Sequence, residues 1–244
     1  LAKCLADYGP KMTDILVQNY IVDRECERRK INVSEAEIDL QIDELRKQIA
    51  PTTLDEGLKR HHTTMDGLKY DFRQQIERTQ LVINRVKPAK MAHARIIFVK
   101  VDPSGASGTI RTDADAKTLI ANIQNQLKAG KSFEKLAGQY SEINDKNKDG
   151  DIGILYEGIQ GMDTAILNTA LTMKKDEISS VPFKTYGGYF LLQVISTSDN
   201  HASGEDAAYA EALATCQEQK AQPLIPQAIV DLIKKSKVVY YVHS

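Results

Sequence analysis

Hydrophobic residues recur at helical spacing through the first third of the chain. Ile38, Ile42, Leu45 and Ile49 form an i, i+4, i+7, i+11 stripe, which is typical of an amphipathic helix. The run Ser34-Glu35-Ala36-Glu37 opens this helix as a capping box, and Pro51 ends it. The same reading predicts three further helices, at Met12–Lys30, from Thr53 toward His61, and at Met65–Val86.

The middle of the chain has a different pattern, in which short apolar runs alternate with capped helices. Residues 95–101 and 188–196 are apolar and predict strands, as does the shorter run 181–185. Helices are predicted after Thr112, after Ser132 and over 163–173. This order favours an antiparallel sheet surrounded by helices.

The last part of the chain returns to helical spacing. Residues 204–222 predict a helix that Pro223 and Pro226 interrupt, and helical spacing resumes over 227–235. Residues 238–242, Val-Val-Tyr-Tyr-Val, predict a terminal strand because they are β-branched or aromatic throughout.

Composition limits the classes of protein and of partner. The chain has 244 residues, 42% hydrophobic and 27% charged, which is enough for two modest domains. A net charge of -1 gives no electrostatic reason to expect nucleic acid as a partner. No apolar run approaches the ~20 residues of a membrane span. The three cysteines have no metal-ligand spacing and form no dense disulfide framework.

Six short motifs in the middle of the chain occur in an order and spacing that resemble the parvulin family of peptidyl-prolyl isomerases. They are Ala94–Val99, Ser132–Ser141, Gly150–Gly153, Gly161–Asp163, Lys175–Ser179 and Tyr186–Leu192. The helical order before them, with the run Glu25–Ser34, is similar to the SurA- and PrsA-like chaperones of bacterial envelopes.

This resemblance implies an α+β chain in which a parvulin-like domain is inserted into a discontinuous helical domain of the SurA N-terminal kind. The helical domain would consist of residues 1–88, completed by the C-terminal helix and strand in 201–244. The parvulin-like domain would occupy 89–200. A helix supplied from the end of the chain would cover apolar faces that residues 11–87 leave open.

The positions at which parvulins carry their polar catalytic groups hold other residues here. Where the family reads Ser-His-Ile-Leu this chain has Ala94-Arg95-Ile96-Ile97, and where it reads Tyr-His-Ile-Ile this chain has Tyr189-Phe190-Leu191-Leu192. The family's cysteine or aspartate falls at Ile143. By resemblance, the equivalent positions are therefore Arg95, Ile143 and Phe190. A substrate cup would be formed by Ile152, Met162 and Ile166, with Leu171 and Met173 behind it.

Isomerisation must overcome an amide barrier of ~18–20 kcal/mol. A catalyst places the proline ring in an apolar cup and surrounds the carbonyl with groups suited to the twisted amide. Without the histidines and the acid or thiol, we expect a weak or inactive isomerase. Two interpretations of the replacements stay open. Either the pocket has been refilled as core, or a more apolar groove with Arg95 at its rim binds unfolded segments. His93, on the predicted face of Arg95, is a further candidate for a substitute group.

One segment resembles a calcium loop. Asp145, Asn147, Asp149 and Asp151 have the spacing of the opening of an EF-hand, but Tyr156 stands where that loop needs a bidentate glutamate. We therefore expect no bound metal and no cofactor.

The function expected from the resemblance is that of a chaperone in the periplasm or cell envelope, with membrane tethering left open. Its partners would be unfolded or partly folded exported polypeptides. The first alternative is an active parvulin-type isomerase, and the second is a dimerising scaffold. A homodimer is compatible with each of these functions.

Overall fold

The computed structural model describes residues 2–87, 89–106, 110–143 and 149–236, with side chains from residue 11 onward. The chain divides into two compact units. The first, called the helical unit below, combines Leu1–Lys87 with Glu218–Ser244. The second, called the sheet unit, is Pro88–Gln217. A helical part with an inserted sheet-containing part is the predicted α+β architecture, which is confirmed.

The helical unit is built from amphipathic helices. They are α1 (Ala2–Arg29), α2 (Glu35–Ile49), α3 (Leu54–Arg60), α4 (Met65–Ile83), the end of α8 (Asp206–Ala221) and α9 (Ile225–Lys235). The predicted capping box at Ser34 is present and a second one lies at Thr53, since each of these side chains accepts a hydrogen bond from the backbone three residues later. α1 begins earlier than its predicted start at Met12.

The predicted apolar stripe of α2 packs against α4. Ile38 and Ile42 are buried together with Val33, and the cluster is covered by Met65, Leu68, Phe72 and Ile76. A second cluster joins α1, α4 and α9 through Val22, Leu81 and Ile229. The C-terminal helix therefore supplies apolar surface that buries residues of α1 and α4.

The sheet unit contains four antiparallel strands in the order β2-β1-β4-β3. They are β1 (Met91–Lys100), β2 (Asp151–Tyr156), β3 (Phe183–Thr185) and β4 (Gly188–Thr197). Three helices cover the sheet, α5 (Asp113–Lys128), α6 (Phe133–Tyr140) and α7 (Thr164–Thr172). β1 starts before the predicted residue 95, and β2 begins within the motif Gly150–Gly153, where no strand is predicted.

The two faces of this sheet bury different clusters, because side chains alternate along a strand. Ile97 and Val99 of β1 face α5 and α6, together with Leu191 of β4. Ala94 and Ile96 of β1 lie on the other face with Phe190, Leu192 and residues of α7. We call this second face the α7 face.

The C-terminal boundary differs from the prediction that residues 201–244 all complete the helical domain. The first turns of α8 belong to the sheet unit, because Tyr209 and Cys216 are buried against Met91 and Tyr156. The part that joins the helical unit begins at Glu218. The predicted terminal strand at 238–242 lies outside the described residues.

Candidate functional site

The α7 face gathers the residues predicted to form a substrate cup. Ile152, Met162, Ile166, Leu171 and Met173 are all partly buried and pack against one apolar cluster. They come from β2, from the turn before α7, from α7 and from the segment after it. α7 is placed by Asp163, whose carboxylate accepts a hydrogen bond from the Ala165 amide at 2.7 Å. The resulting surface is aliphatic with two methionine side chains.

Phe190 lies at the centre of this face and is fully buried. Its ring stacks on Phe183 of β3, with centroids 5.1 Å apart. In the sheet register Phe190 lies opposite Phe98 of β1. The position equivalent to the second parvulin histidine is therefore filled by an aromatic core residue with aromatic neighbours on both adjacent strands.

Ile143 also packs against the α7 face. The segment before it is tied to β1, because the Phe98 amide donates to Ser141 Oγ at 3.1 Å and the Glu142 amide donates to the Phe98 carbonyl at 2.8 Å. These two bonds fix the chain just before Ile143. An apolar side chain thus stands beside the cup where the family has an acid or a thiol.

Arg95 does not join this group. It pairs with Gln193 across the sheet, and Phe98 pairs with Phe190. Arg95 and Phe98 are separated by an odd number of residues along β1, so Arg95 points to the face opposite the α7 face. Its guanidinium forms ion pairs with Glu134 and, at 3.6 Å, with Asp149. The expectation that Arg95 lies at the rim of the cup is therefore not met.

Ile96 occupies the place expected for Arg95. It is buried on the α7 face, opposite Leu192 and one pair removed from Phe98–Phe190. The Ile96 amide donates to the Gly150 carbonyl at 2.8 Å. Gly150 has φ +77°, and a Cβ there would lie 2.4 Å from the Ile96 carbonyl oxygen, so only glycine fits this approach. When the family motif is placed one residue later, on Arg95-Ile96-Ile97-Phe98, its histidine falls at Ile96, on the α7 face.

The sequence reasoning thus missed Ile96, Phe98 and Phe183. The alternation of side chains along a strand could have found the first two, since only residues an even number of positions apart share a face. Ile96, Ile143 and Phe190, the positions that the resemblance relates to catalytic parvulin residues, are aliphatic or aromatic. The α7 face can bind apolar groups, and these positions offer no group that transfers a proton or polarises a carbonyl.

His93 is held away from the cup by two carboxylates. One ring nitrogen, Nδ1, lies 2.8 Å from Glu205 Oε1, and the other, Nε2, lies 2.9 Å from Asp151 Oδ1. The side chain is 21% exposed. Both nitrogens are engaged, so His93 has none left for a substrate.

Glu205 belongs to a wider network at this end of β1 and β4. Its Oε1 also accepts a hydrogen bond from the buried Ser196 hydroxyl at 2.8 Å, and that hydroxyl lies 3.0 Å from the Tyr209 hydroxyl. The hydrogen bonds from His93 and Ser196 lower the pKa of Glu205, against the opposing effect of burial. Burial raises the pKa of Tyr209. We call His93, Asp151, Glu205, Ser196 and Tyr209 the His93 network.

The calcium-loop candidates are only partly described. Asp145 and Asn147 lie outside the described residues. Asp149 and Asp151, the other two, are paired with Arg95 and His93. Within the described ranges, no cluster of three or more His, Cys, Asp or Glu side chains has the arrangement of a metal site. No described helix combines the length and hydropathy of a membrane span.

Comparison with known proteins agrees with this geometry. Residues 97–196 match the model of the rotamase family, the PPIC-type PPIase domain. The foldase protein PrsA of Bacillus subtilis is 25% identical over 234 residues, covering 94% of this chain and 74% of that protein. The chaperone SurA of Burkholderia lata is 30% identical over 111 residues, covering 46% of this chain and 23% of its own length. The match to that SurA thus spans about a quarter of the relative.

A solved structure has the same fold over almost the whole chain. The foldase protein PrsA from Streptococcus pneumoniae superposes with a TM-score of 0.58 at 15% identity, covering 96% of this chain and 87% of that one. The fold is thus a helical unit into which a parvulin-type domain is inserted. The chain is similar to SurA- and PrsA-like proteins, and residues 97–196 of its sheet unit match the PPIC-type PPIase domain.

Proposed function

We propose that this protein is an extracytoplasmic chaperone that holds unfolded or partly folded exported polypeptides, and that its parvulin-type domain is a weak or inactive isomerase. The relatives are named as chaperones and foldases, which supports a role in assisting protein folding. The location outside the cytoplasm follows from the SurA- and PrsA-like resemblance. The observation that carries the isomerase part is the apolar packing of Ile96, Ile143 and Phe190.

Efficient isomerisation needs positioned polar groups around the twisted amide. Rotation about the peptide bond removes resonance between carbonyl and nitrogen, so a catalyst stabilises the altered charges with positioned polar groups. Desolvation in an apolar cup lowers the barrier to some extent without them. Three apolar side chains at the relevant positions leave the α7 face with binding and desolvation alone.

An isomerisation assay on a proline-containing peptide tests this directly. The purified chain and an intact parvulin are measured in parallel, with aggregation suppression of an unfolded protein as the second readout. We expect the chain to suppress aggregation. Its isomerase efficiency should be at least about a hundredfold lower than that of the intact parvulin, which corresponds to a loss of about 2.7 kcal/mol of transition-state stabilisation. An efficiency within about tenfold of the intact enzyme would overturn the proposal and favour an active isomerase.

We further propose that the helical unit carries most of the holding activity. Apolar side chains are exposed on α1, among them Met12, Leu16 and Tyr20, which are 56%, 63% and 65% exposed. Flexible and aromatic side chains of this kind suit clients of varied sequence. Val86 packs against the cluster of Val82 and Ala221, so the two ends of the helical unit meet and a short linker can replace residues 88–217.

That linker variant should keep its helical circular dichroism signal and most of the aggregation suppression. The matched control removes residues 218–244, which deletes α9 and its contact with α1 and α4, and should unfold the helical unit. If the linker variant folds but loses holding activity, the clients bind to the sheet unit, and this part of the proposal is wrong.

A further inference from the structure

The contact between α1 and α4 brings together one buried carboxyl group, one partly buried carboxyl group and one buried amide. Glu77 of α4 is 9% exposed, and Gln74, one turn earlier, is 5% exposed. The Gln74 side-chain nitrogen donates a hydrogen bond to Asp23 of α1 and another, at 3.1 Å, to Glu77 Oε2. A single amide nitrogen therefore lies between two acids from different helices.

The cations near this pair are engaged elsewhere. On α4, Arg73 donates a hydrogen bond to the Glu35 carboxylate at 2.7 Å, and Arg78 donates one to the side-chain oxygen Oδ1 of Asn19 at 2.6 Å. On α1, Arg29 binds Glu25 at 2.7 Å. The third neighbouring helix, α9, contributes the apolar residues Ile229, Leu232 and Ile233 to the adjoining cluster.

The pKa values of Glu77 and Cys26 are both raised at this contact. Burial raises the pKa of Glu77 to about 7, and the charge of Asp23 and a hydrogen bond between the two carboxyl groups add to the increase. Arg73 and Arg78 act in the opposite direction. The pKa of the buried Cys26 thiol rises to about 12, first through burial and then through the charges of Glu77 and Asp23. The charges of both acids thus raise the pKa of a second neighbouring group, the Cys26 thiol.

We propose that Asp23, Gln74 and Glu77 form a proton-dependent lock between α1 and α4. The lock is closed when Glu77 carries a proton that its carboxyl group shares with Asp23. It loosens when both groups are ionised, because two like charges then lie in a site with little water.

The direction of the pH dependence follows from linkage. The pKa of Glu77 is raised from its ordinary value of 4.5, so the folded state binds the proton more tightly than the unfolded chain. This contribution to stability is fully present below 4.5 and is lost as pH rises toward about 7. The contact between α1 and α4 is therefore tighter in acid than at neutral pH. The pH dependence of the contact between α1 and α4 does not require a bound client.

Hydrogen exchange on the full chain tests the lock locally. Protection of α1 amides, corrected for intrinsic exchange rates, should fall on the order of a hundredfold between about pH 4.5 and about pH 8. Peptides from the sheet unit serve as the internal reference. Glu77→Gln, which mimics the protonated acid, should remove most of this dependence. Glu27→Gln makes the same change at an exposed position of α1 and should behave as the unmodified chain.

A second measurement keeps the test valid if Glu77→Gln does not fold. Carbon-13 NMR of the side-chain carboxyl carbon of Glu77 should show titration near neutral pH in the unmodified chain. In Asp23→Asn the same carbon should titrate at lower pH, because the neighbouring charge is gone. A Glu77 carboxyl that titrates in its ordinary acidic range, or α1 protection in Glu77→Gln that keeps the full pH dependence, would overturn the proposal.

Discussion

The two ends of β1 in the sheet unit differ in how their side chains are held. One end packs its side chains in an apolar cluster, and the other holds a polar side chain by hydrogen bonds. At one end Ile96 and Phe98 pack with Phe190, where the parvulin resemblance implies polar catalytic groups. At the other end the His93 network places a histidine between two carboxylates, where the resemblance implies no chemistry. The expected polar site is core, and the polar cluster that is present has its hydrogen bonds filled by its own members.

A histidine close to the apolar cup is not by itself a catalytic group. A general acid or base needs a nitrogen within hydrogen-bonding reach of the substrate. His93 uses both nitrogens to hold Asp151 and Glu205. We therefore interpret the His93 network as structural and the α7 face as an apolar surface, and each of the following predictions tests one side of that comparison.

The largest effect is expected from Phe190→Ala. The ring is fully buried and stacks on Phe183, so its removal leaves a cavity in the sheet unit. The free energy of unfolding should fall by about 3–5 kcal/mol. Denaturant unfolding measures the change. Tyr186→Ala, at a fully exposed position, is the control and should change stability by less than about 0.5 kcal/mol. Equal effects of the two changes would contradict a core role for Phe190.

Restoring both histidines tests the same side of the comparison by its chemistry. In the double variant Ile96→His with Phe190→His, two imidazoles replace buried apolar groups, at a cost of about 2–4 kcal/mol. We expect no gain in isomerisation beyond about tenfold, because Ile143 supplies neither acid nor thiol. Unfolding and the peptide assay measure the two effects. Near-normal stability with strong activity would show that the site is still arranged for catalysis.

The amino-acid sequence predicts part of this arrangement and not the rest. The sheet and the helices around it followed from periodicity and turn signals, and the cup residues such as Met162 and Ile166 were implied by the resemblance to parvulins. The face of Arg95 did not, because the motif fixes its place only to within one residue and a shift of one residue reverses the side chain. The pairing of His93 with Glu205 joins residues 112 positions apart, which no local pattern reveals.

A smaller effect is expected at the polar end of β1. His93→Ala removes both ring contacts and leaves Asp151 and Glu205 without the group between them. Stability of the sheet unit should fall by about 1–3 kcal/mol. Isomerase activity should not change when measured at a temperature where the variant is folded. A loss of activity in the folded variant would mean that His93 takes part in chemistry after all.

The His93 network should also give the sheet unit a pH dependence of its own. The pKa of Glu205 is lowered from 4.5, so its ionised form stabilises the fold above that value and the contribution is lost as pH falls below it. The loss should appear as a lower midpoint of thermal unfolding in acid. Thermal unfolding of the unmodified chain and of Glu205→Gln over this range measures it. A fall in stability of the same size in both proteins would assign the acid sensitivity to other groups.

The smallest effect is expected from Arg95→Ala, which tests whether the guanidinium takes part in client binding. The partners of Arg95 are Glu134 and Asp149, whose side chains are 49% and 44% exposed, and ion pairs of this kind contribute about 0–1 kcal/mol. Because Arg95 lies on the face opposite Phe190, its removal should leave client holding and any residual isomerisation unchanged. Lys184→Ala, which breaks an exposed ion pair with Asp113, is the matched control. A loss of holding in Arg95→Ala alone would place the guanidinium at a client-binding surface.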